Sequence, residues 1–412
     1  MTGIYIPRRA EQQIREGLEE TRVILVNGPR QAGKTTLVEQ FVTEKRPYVT
    51  LDEPGTLEAA RRDPTGFIRS LGGGVIDEIQ RAPELMLAIK VAVDTVKTPG
   101  RFLLTGSATV MALPTIGDSL AGRLSIVELL PLAQAELHAS PGRLIERLFD
   151  DGPLAFTPLP VVGAELRRII VAGGYPEALQ KKSSRRRTAW FEDYIRLVVD
   201  RDARDAANIE QLDQLPRLVS HLAEQAGQPV NISNLSSSLQ LSRPTVVKYL
   251  EALERIYLVR SLPPWFSNRI ARLVKTPKIQ FYDSGLLASL RGVSQLDPVD
   301  QPPATGALFE TFVHAELRKL MSWSERRTTL CHFRTREQDE VDFVLEDARG
   351  RVVGIEVKSG ATLRRRDFSG LRKLEAAAGE RFVRGLILHD HDRITPVSER
   401  IQGAPLSLLW TL

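Results

Sequence analysis

Val23-Ile24-Leu25-Val26-Asn27-Gly28-Pro29-Arg30-Gln31-Ala32-Gly33-Lys34-Thr35-Thr36 is the stretch from which the fold can be read. A short apolar run ends at a glycine, the spacing G-x-x-x-x-G-K-T follows, and a helix-like segment continues from Lys34 to Thr43. Strand, glycine loop and helix in that order are the context a phosphate-binding loop requires. The loop Gly28, Pro29, Arg30, Gln31, Ala32 and Gly33, with the helix opening at Lys34, Thr35 and Thr36, is suited to wrap phosphate oxygens with the backbone N–H groups of all these residues except Pro29, which has none. Lys34 brings a point charge to the β and γ oxygens, and Thr35 offers its hydroxyl to Mg²⁺. An ordinary glycine turn is the bland alternative.

Working outward, Val75-Ile76 and Phe102-Leu103-Leu104 repeat the short apolar run, with a further helix-like segment at Pro83–Val96. Such alternation predicts a parallel sheet covered by helices, from Thr21 to about Leu132. Asp77 and Glu78 follow the second run. Asp77 is the candidate for the Mg²⁺ shell, and Glu78 the candidate to orient or deprotonate the attacking water. Glycines at 72–74 stand where apolar residues are usual, so this strand is weakly marked. Thr105-Gly106-Ser107 ends the third run, where Ser107 is placed to sense the γ-phosphate; a hydroxyl-capped turn is the alternative. Arg123, in a loop shortly after, is the candidate finger for a neighbouring subunit's nucleotide, or else a surface arginine.

The chain has 412 residues, 42% hydrophobic and 26% charged, with 29 Gly and 25 Pro. This excludes a disordered, collagenous or coiled-coil architecture, and the length suggests about three domains. Lys and Arg exceed Asp and Glu by 56 to 51, a charge of +5 that permits a polyanion partner without requiring one. Cys331 is the single cysteine, so an intrachain disulfide and a cysteine-rich zinc site are excluded. The lone histidines, including His221, His314 and His332, lack ligand spacing. No apolar run reaches the roughly 18–20 residues of a membrane span, and no secretory leader is visible; a cytoplasmic, membrane-free protein is expected.

The quoted loop, Asp77-Glu78-Ile79-Gln80-Arg81 and Leu104-Thr105-Gly106-Ser107 together resemble the bacterial and archaeal AAA+ ATPases that carry a C-terminal domain of unknown function. Gly173-Gly174-Tyr175-Pro176-Glu177 and Asp283-Ser284-Gly285-Leu286 extend the likeness over nearly the whole chain. The resemblance implies an α/β protein: an AAA+ P-loop NTPase core at 1–132, a helical lid at 133–213, a winged-helix module at 214–297 and a PD-(D/E)xK nuclease-like α/β domain at 298–412. It also implies a ring, expected to be a hexamer, because a finger arginine comes from the next protomer.

Local patterns fit these divisions. Trp190, Tyr194, Leu197 and Val198 have helical spacing. Ile232–Leu235 opens a short helix, and Ser242-Arg243-Pro244-Thr245 caps a second that runs from Val246 to Leu258. That pair reads as helix-turn-helix, with Leu258–Phe281 long enough for a wing. Arg243, Thr245 and Lys248 are candidate DNA contacts at the recognition helix. Arg269, Arg272, Lys275 and Lys278 punctuate the wing, and Lys181-Lys182 with Arg185-Arg186-Arg187 form a second basic cluster. A protein-docking role is the alternative for the module. Pro298, Pro302 and Pro303 mark a linker.

In the last segment, Glu340-Val341-Asp342-Phe343-Val344-Leu345 and Gly354-Ile355-Glu356-Val357-Lys358 predict a hairpin. Residues two apart in a strand share a face, so Glu356 and Lys358 project together and Asp342 joins them from the neighbouring strand. Two carboxylates and a lysine so placed resemble the PD-(D/E)xK nucleases. Asp342 and Glu356 are then candidate Mg²⁺ or Mn²⁺ ligands, and Lys358 would position the attacking water. A helix is predicted over Leu308–Leu320, from which Glu310 is the preferred further carboxylate and Glu316 its rival. Exposed ion pairs on a sheet without activity are the alternative. Arg364 and Arg365, with Arg366, Arg334 and Arg336, are candidates to track a phosphate backbone or are simply a solvated face. The expected function is an ATP-dependent DNA-processing enzyme with a metal-dependent nuclease site; the rival is a nucleotide-switched DNA-binding or signalling ATPase whose nuclease fold does not cut.

Overall fold

A computed structural model of the chain describes residues 5–107, 120–150, 152–154, 160–203, 214–267, 276–296 and 302–412. Two compact units emerge: one of residues 1–132 with 202–208 and 255–257, the other of 133–201, 209–254 and 258–412.

The first unit is built on five strands: β1 (Val23–Gly28), β2 (Tyr48–Thr50), β3 (Gly74–Asp77), β4 (Phe102–Ser107) and β5 (Leu124–Glu128). They lie in the order β2-β3-β4-β1-β5, all parallel. The apolar runs are continuous because both faces are covered. Val23 and Leu25 of β1 join Ile76 and Leu104 in one core, under helices Pro54–Arg62, Pro64–Leu71 and Leu85–Thr95. Ile24 and Val26 point the other way and join Val75 and Leu103 in a second core, under helices Ala10–Glu20 and Lys34–Glu39. This strict alternation is the period-two rule of a strand.

The weak marking of β3 has a steric cause. A Cβ on Gly73 would lie 2.8 Å from the Arg101 carbonyl oxygen, and one on Gly74 2.9 Å from that of Pro47. Neighbouring backbones approach so closely that the apolar residues expected there do not fit. Register then aligns the strand ends: Gly28 pairs with Ser107, Val26 with Thr105, and Ile76 with Leu104. The phosphate loop, the acidic pair and the hydroxyls of β4 thus meet at one edge, where open parallel sheets bind their ligands.

The second unit contains a six-stranded sheet of β8 (Thr328–Arg334), β9 (Glu340–Asp347), β10 (Val352–Lys358), β11 (Phe382–His389), β12 (Thr395–Pro396) and β13 (Ile401–Pro405). Its order is β12-β13-β11-β10-β9-β8. The expected hairpin is β9 with β10, antiparallel, Phe343 opposite Ile355. Helix Ser369–Ala378 packs Leu371 and Leu374 into a core with Val341, Val344, Val352 and Ile387. From the 22-residue helix Pro302–Trp323, His314 stacks on Phe343 with ring centroids 6.1 Å apart. That helix begins inside the stretch read as a proline linker, because a proline in the first turn forfeits no intrahelical hydrogen bond.

Helices Ile232–Leu239 and Arg243–Arg255 are joined by a short turn, and β6 (Val259–Leu262) pairs antiparallel with β7 (Lys278–Phe281). Asn231 caps the first helix with bonds to the N–H groups of Ser233 and Asn234, and the Ser242 hydroxyl accepts from Thr245 N–H at the start of the second. The wing residues Arg269, Arg272 and Lys275 lie outside the described residues.

The two motifs Gly173–Glu177 and Asp283–Leu286 meet in space. Asp283 caps helix Ser284–Leu290 by accepting from Gly285 N–H at 2.8 Å and Leu286 N–H at 3.2 Å, and its other oxygen accepts from Gly174 N–H at 2.7 Å. Ser284 donates to the Ile170 carbonyl. Tyr175 is buried beside Trp190, Phe191 and Tyr194. These residues serve to join helices.

Candidate functional site

At the edge of the first unit, Gly28 closes β1 and Gly33 takes a left-handed conformation (φ 94°) immediately before helix Lys34–Glu39. A Cβ on Gly28 would meet the Leu129 carbonyl oxygen at 2.1 Å, so only glycine lets the chain turn out of the sheet here. Gln31 also has positive φ, at 60°. The Lys34 ammonium, buried, donates to the loop carbonyls of Pro29 at 2.8 Å and Gly28 at 3.2 Å, which holds it inside the loop it would serve. Arg8, a residue with no sequence signal, braces the loop: its guanidinium donates to the Ala32 carbonyl at 2.8 Å and to the Leu130 carbonyl at 2.6 Å.

Asp77 gathers three hydroxyls. Thr35 Oγ1 and Tyr48 OH each donate to its Oδ2 at 3.0 Å, and Thr105 Oγ1 donates to Oδ1. Burial, then the Asp77 charge, pushes the Tyr48 hydroxyl well above its usual titration range, so it remains a donor. Thr105 also accepts from Glu78 N–H at 3.0 Å. Glu78 sits in the left-handed region (φ 58°), uncommon for a side chain of its size, and its carboxylate accepts from Gln80 Nε2. Gln80 Oε1 in turn accepts from Ser107 N–H at 3.3 Å. Hydroxyl and carboxylate at Thr35 and Asp77 are the hard oxygen pair that suits Mg²⁺ beside a triphosphate. Tyr48 and Gln80 were not legible as site residues; the only trace of Tyr48 is its place at a strand start. Arg123 is held away from solvent-facing freedom by Asp94, to which its Nε and its second terminal nitrogen both donate.

In the second unit, the hairpin brings Asp342 and Glu356 together through the backbone. Glu356 Oε2 accepts from Asp342 N–H at 3.2 Å, and Asp342 Oδ2 accepts from Val357 N–H at 2.9 Å. Lys358 Nζ reaches Glu356 Oε1 at 2.6 Å. Glu310, from the long helix, faces the same cluster: loss of solvent and then the Asp342 charge push its carboxyl well above the usual range. Its Oε2 lies against Gly227, where a Cβ would approach to 2.6 Å. Glu316 points elsewhere, accepting from Gln134 N–H at 2.8 Å and from Lys319 Nζ at 2.8 Å.

Lys278 differs from its reading as a basic wing residue. It is 1% exposed, and its ammonium pairs with Glu340 Oε1 and lies 3.6 Å from Asp342 Oδ1. Burial pulls this ammonium down, but Asp342, Glu310 and Glu340 outweigh burial and hold it above the ordinary lysine range. Neither Lys278 nor Glu340 could be assigned from spacing, since the contact spans β7 and the β9 start. Among the described residues no three His, Cys, Asp or Glu side chains converge as a shell for a metal ion. The oxygen chemistry of Asp342, Glu356 and Glu310 suits Mg²⁺ or Mn²⁺, but with the Lys278 ammonium among them the residues do not fit a divalent ion in this arrangement.

Glu356 is pushed up to about 8, by burial first and by Asp342 second. Between the ordinary glutamate value and 8 the folded protein keeps a proton that the unfolded chain releases, so this group favours folding least at the alkaline end. Stability is retained below about pH 4.5 and lost as pH rises toward 8. Glu356→Gln removes the dependence: its melting temperature relative to wild type should rise between pH 5 and pH 8.5, by an amount worth about 1–4 kcal/mol. A pH-independent difference would contradict the assignment.

Arg243 and Lys248 are exposed on helix Arg243–Arg255, and the Thr245 hydroxyl is 2.7 Å from that of Ser242. Arg364 and Arg365 are exposed beside Asp367, which accepts from Arg364 N–H at 2.6 Å. No helix among the described residues is long and apolar enough to cross a membrane.

Comparison with known proteins finds three domain families along the chain. Residues 20–138 match the AAA domain family; residues 163–297 and 305–409 match two domains of unknown function, DUF8612 and DUF4143. The chain is 31% identical over 408 residues to uncharacterized proteins of Mycobacterium tuberculosis and of Mycobacterium bovis, covering 98% of this chain and 84% of each relative. A solved signal-transduction ATPase with numerous domains and a tetratricopeptide repeat sensor, from Pyrococcus horikoshii, is 13% identical with a TM-score of 0.28, over 77% of this chain and 46% of that one. The chain spans less than half of that protein, and the TM-score is too low to relate the two folds. The chain thus belongs to the family of the two mycobacterial proteins and carries an AAA-family ATPase domain followed by two domains of unknown function.

Proposed function

We propose that the chain is an ATP-driven, DNA-directed protein in which hydrolysis at the phosphate loop controls a nuclease-like C-terminal domain. The observation that supports the reading is the β9–β10 hairpin that joins Asp342 to Glu356 and Glu356 to Lys358, three members of the residue set of a PD-(D/E)xK nuclease, with Glu310 on the long helix feeling the Asp342 charge.

At the first site, Lys34 and the loop N–H groups hold the phosphates, while Thr35 and Asp77 would hold Mg²⁺, which neutralises charge on the β and γ oxygens. Glu78, tethered by Gln80, orients the attacking water. Ser107 and Thr105 link the γ-phosphate position to Asp77 and Glu78 through the bonds described above. A ring, hexameric in the form the family resemblance implies, would need Arg123 to leave Asp94 before serving a neighbour's nucleotide. The helix pair with its β6–β7 ribbon serves as a winged helix, with Arg243, Thr245 and Lys248 on DNA, and Arg364 and Arg365 extend the basic surface. The cytoplasm is the compartment this activity suits.

Cutting is proposed as latent, because no metal fits while Lys278 is in place. A second reading is favoured by that same lysine: a nucleotide-switched DNA-binding or signalling ATPase whose nuclease-like fold grips without cutting. Single-stranded, duplex and branched DNA incubated with the protein, with and without ATP, in Mg²⁺ or Mn²⁺, separates the two. Cleavage lost in Asp342→Ala supports the first; binding that weakens steeply with salt, without cleavage, supports the second. Binding no stronger than that of a charge-matched control protein would reject both.

A further inference from the structure

We propose that the Lys278 ammonium is a built-in cation standing among the carboxyl groups where a divalent metal would sit, so that the second unit refuses metal while Lys278 is in place. The inference deepens the nuclease-like reading of the Asp342 cluster and rests on it.

Three observations carry it. First, the ammonium is fully buried among carboxylates: it pairs with Glu340 and sits 3.6 Å from Asp342 Oδ1. A compact ammonium with three donors takes oxygen partners much as a metal ion does. Secondly, the lysine comes from outside the hairpin. Lys278 opens β7, opposite Leu262 of β6, and forms a bridge with Pro229, while Gly227 N–H bonds to the Ile279 carbonyl. It is thus a covalently attached cation at high local concentration, and a free ion must displace it to enter. Thirdly, the hairpin's own lysine is already committed to the other carboxylate, with Lys358 Nζ 2.6 Å from Glu356 Oε1. Glu356 and Asp342 each hold a backbone N–H of the opposite strand, so the cluster is organised around the position Lys278 fills.

The carboxyl groups facing Lys278 are those of Glu340 and Asp342 on β9 and Glu310 on the long helix, with Glu356 beyond Asp342 on β10. With the ammonium removed, these carboxylates lack compensation and become a hard-oxygen site that selects Mg²⁺ or Mn²⁺ over softer ions.

The test is Mn²⁺ binding to the full chain without nucleotide, read by the loss of the free Mn²⁺ electron paramagnetic resonance signal. Wild type should show no Asp342-dependent site up to about 1 mM metal, and Lys278→Gln should gain one site at least about tenfold tighter than that limit. The site should vanish in Lys278→Gln/Asp342→Asn, and Lys278→Arg, which keeps the charge, should remain without it. Mn²⁺ should also raise the melting temperature of Lys278→Gln and leave that of wild type unchanged. Should Lys278→Gln fail to fold alone, recovery of folded protein by Mn²⁺ supports the inference. Failure to fold with and without Mn²⁺ counts against it, as does absence of any Mn²⁺ site in a folded Lys278→Gln. An Asp342-dependent Mn²⁺ site in wild type would overturn it. Because cleavage is not the readout, a Lys278→Gln protein that binds Mn²⁺ but leaves DNA intact would reject the nuclease reading alone.

Discussion

Lys34→Ala lowers ATP turnover by about 10²-fold or more while Asp342→Ala leaves it within about twofold, measured as phosphate release by the full chain in Mg²⁺. Lys34 is a buried cation of the loop itself, bonded to the Gly28 and Pro29 carbonyls. Its charge is aimed where negative charge develops on the phosphoryl oxygens, and alanine offers nothing there. The helix N-terminus and the loop N–H groups stay, so weak nucleotide binding persists in the variant while turnover falls. Asp342 belongs to the other compact unit. Turnover by Lys34→Ala at the wild-type rate would remove the phosphate-loop assignment.

The second large effect is on folding. Asp283→Ala strips acceptors from three buried N–H groups, those of Gly174, Gly285 and Leu286. Each orphaned donor costs about 1–3 kcal/mol, and the loss of the helix cap is included in that sum. A destabilisation of about 3 kcal/mol or more is expected in denaturant unfolding of the second unit. Asp283→Asn keeps one acceptor oxygen and should lose less. Burial raises the Asp283 carboxyl above its usual range, against the pull of Lys319 and the three N–H groups. Unfolding of Asp283→Ala indistinguishable from wild type would show that the cap is dispensable.

The first site was largely legible because its chemistry is local. Gly28 to Thr36 lie in one loop, and Asp77 and Thr105 end apolar runs that parallel register must align. Tyr48, Gln80 and Arg8 were hidden because each reaches the site from a segment whose own pattern says only strand, turn or helix start. The hairpin of Asp342 and Glu356 followed from period-two alternation, and the choice of Glu310 over Glu316 from its apolar context. What alternation could not reveal was Lys278. A lysine in a basic, Pro-flanked stretch reads as solvated, and only the packing of β7 beside β9 makes it a buried counterion. Gly73 and Gly74 left β3 weakly marked for the converse reason: they stand where neighbouring backbone crowds the strand.

The 22-residue helix Pro302–Trp323 carries Glu310 in its first half and Glu316 in its second, each against a different neighbour. A helix is stiff over that distance, so it behaves as an axle with two cams. Any roll that lifts Glu310 from beside Gly227 also twists Glu316 against the Gln134 N–H it grips. The carboxylate cluster and the opening residues of the second unit thus hang on one rigid rod.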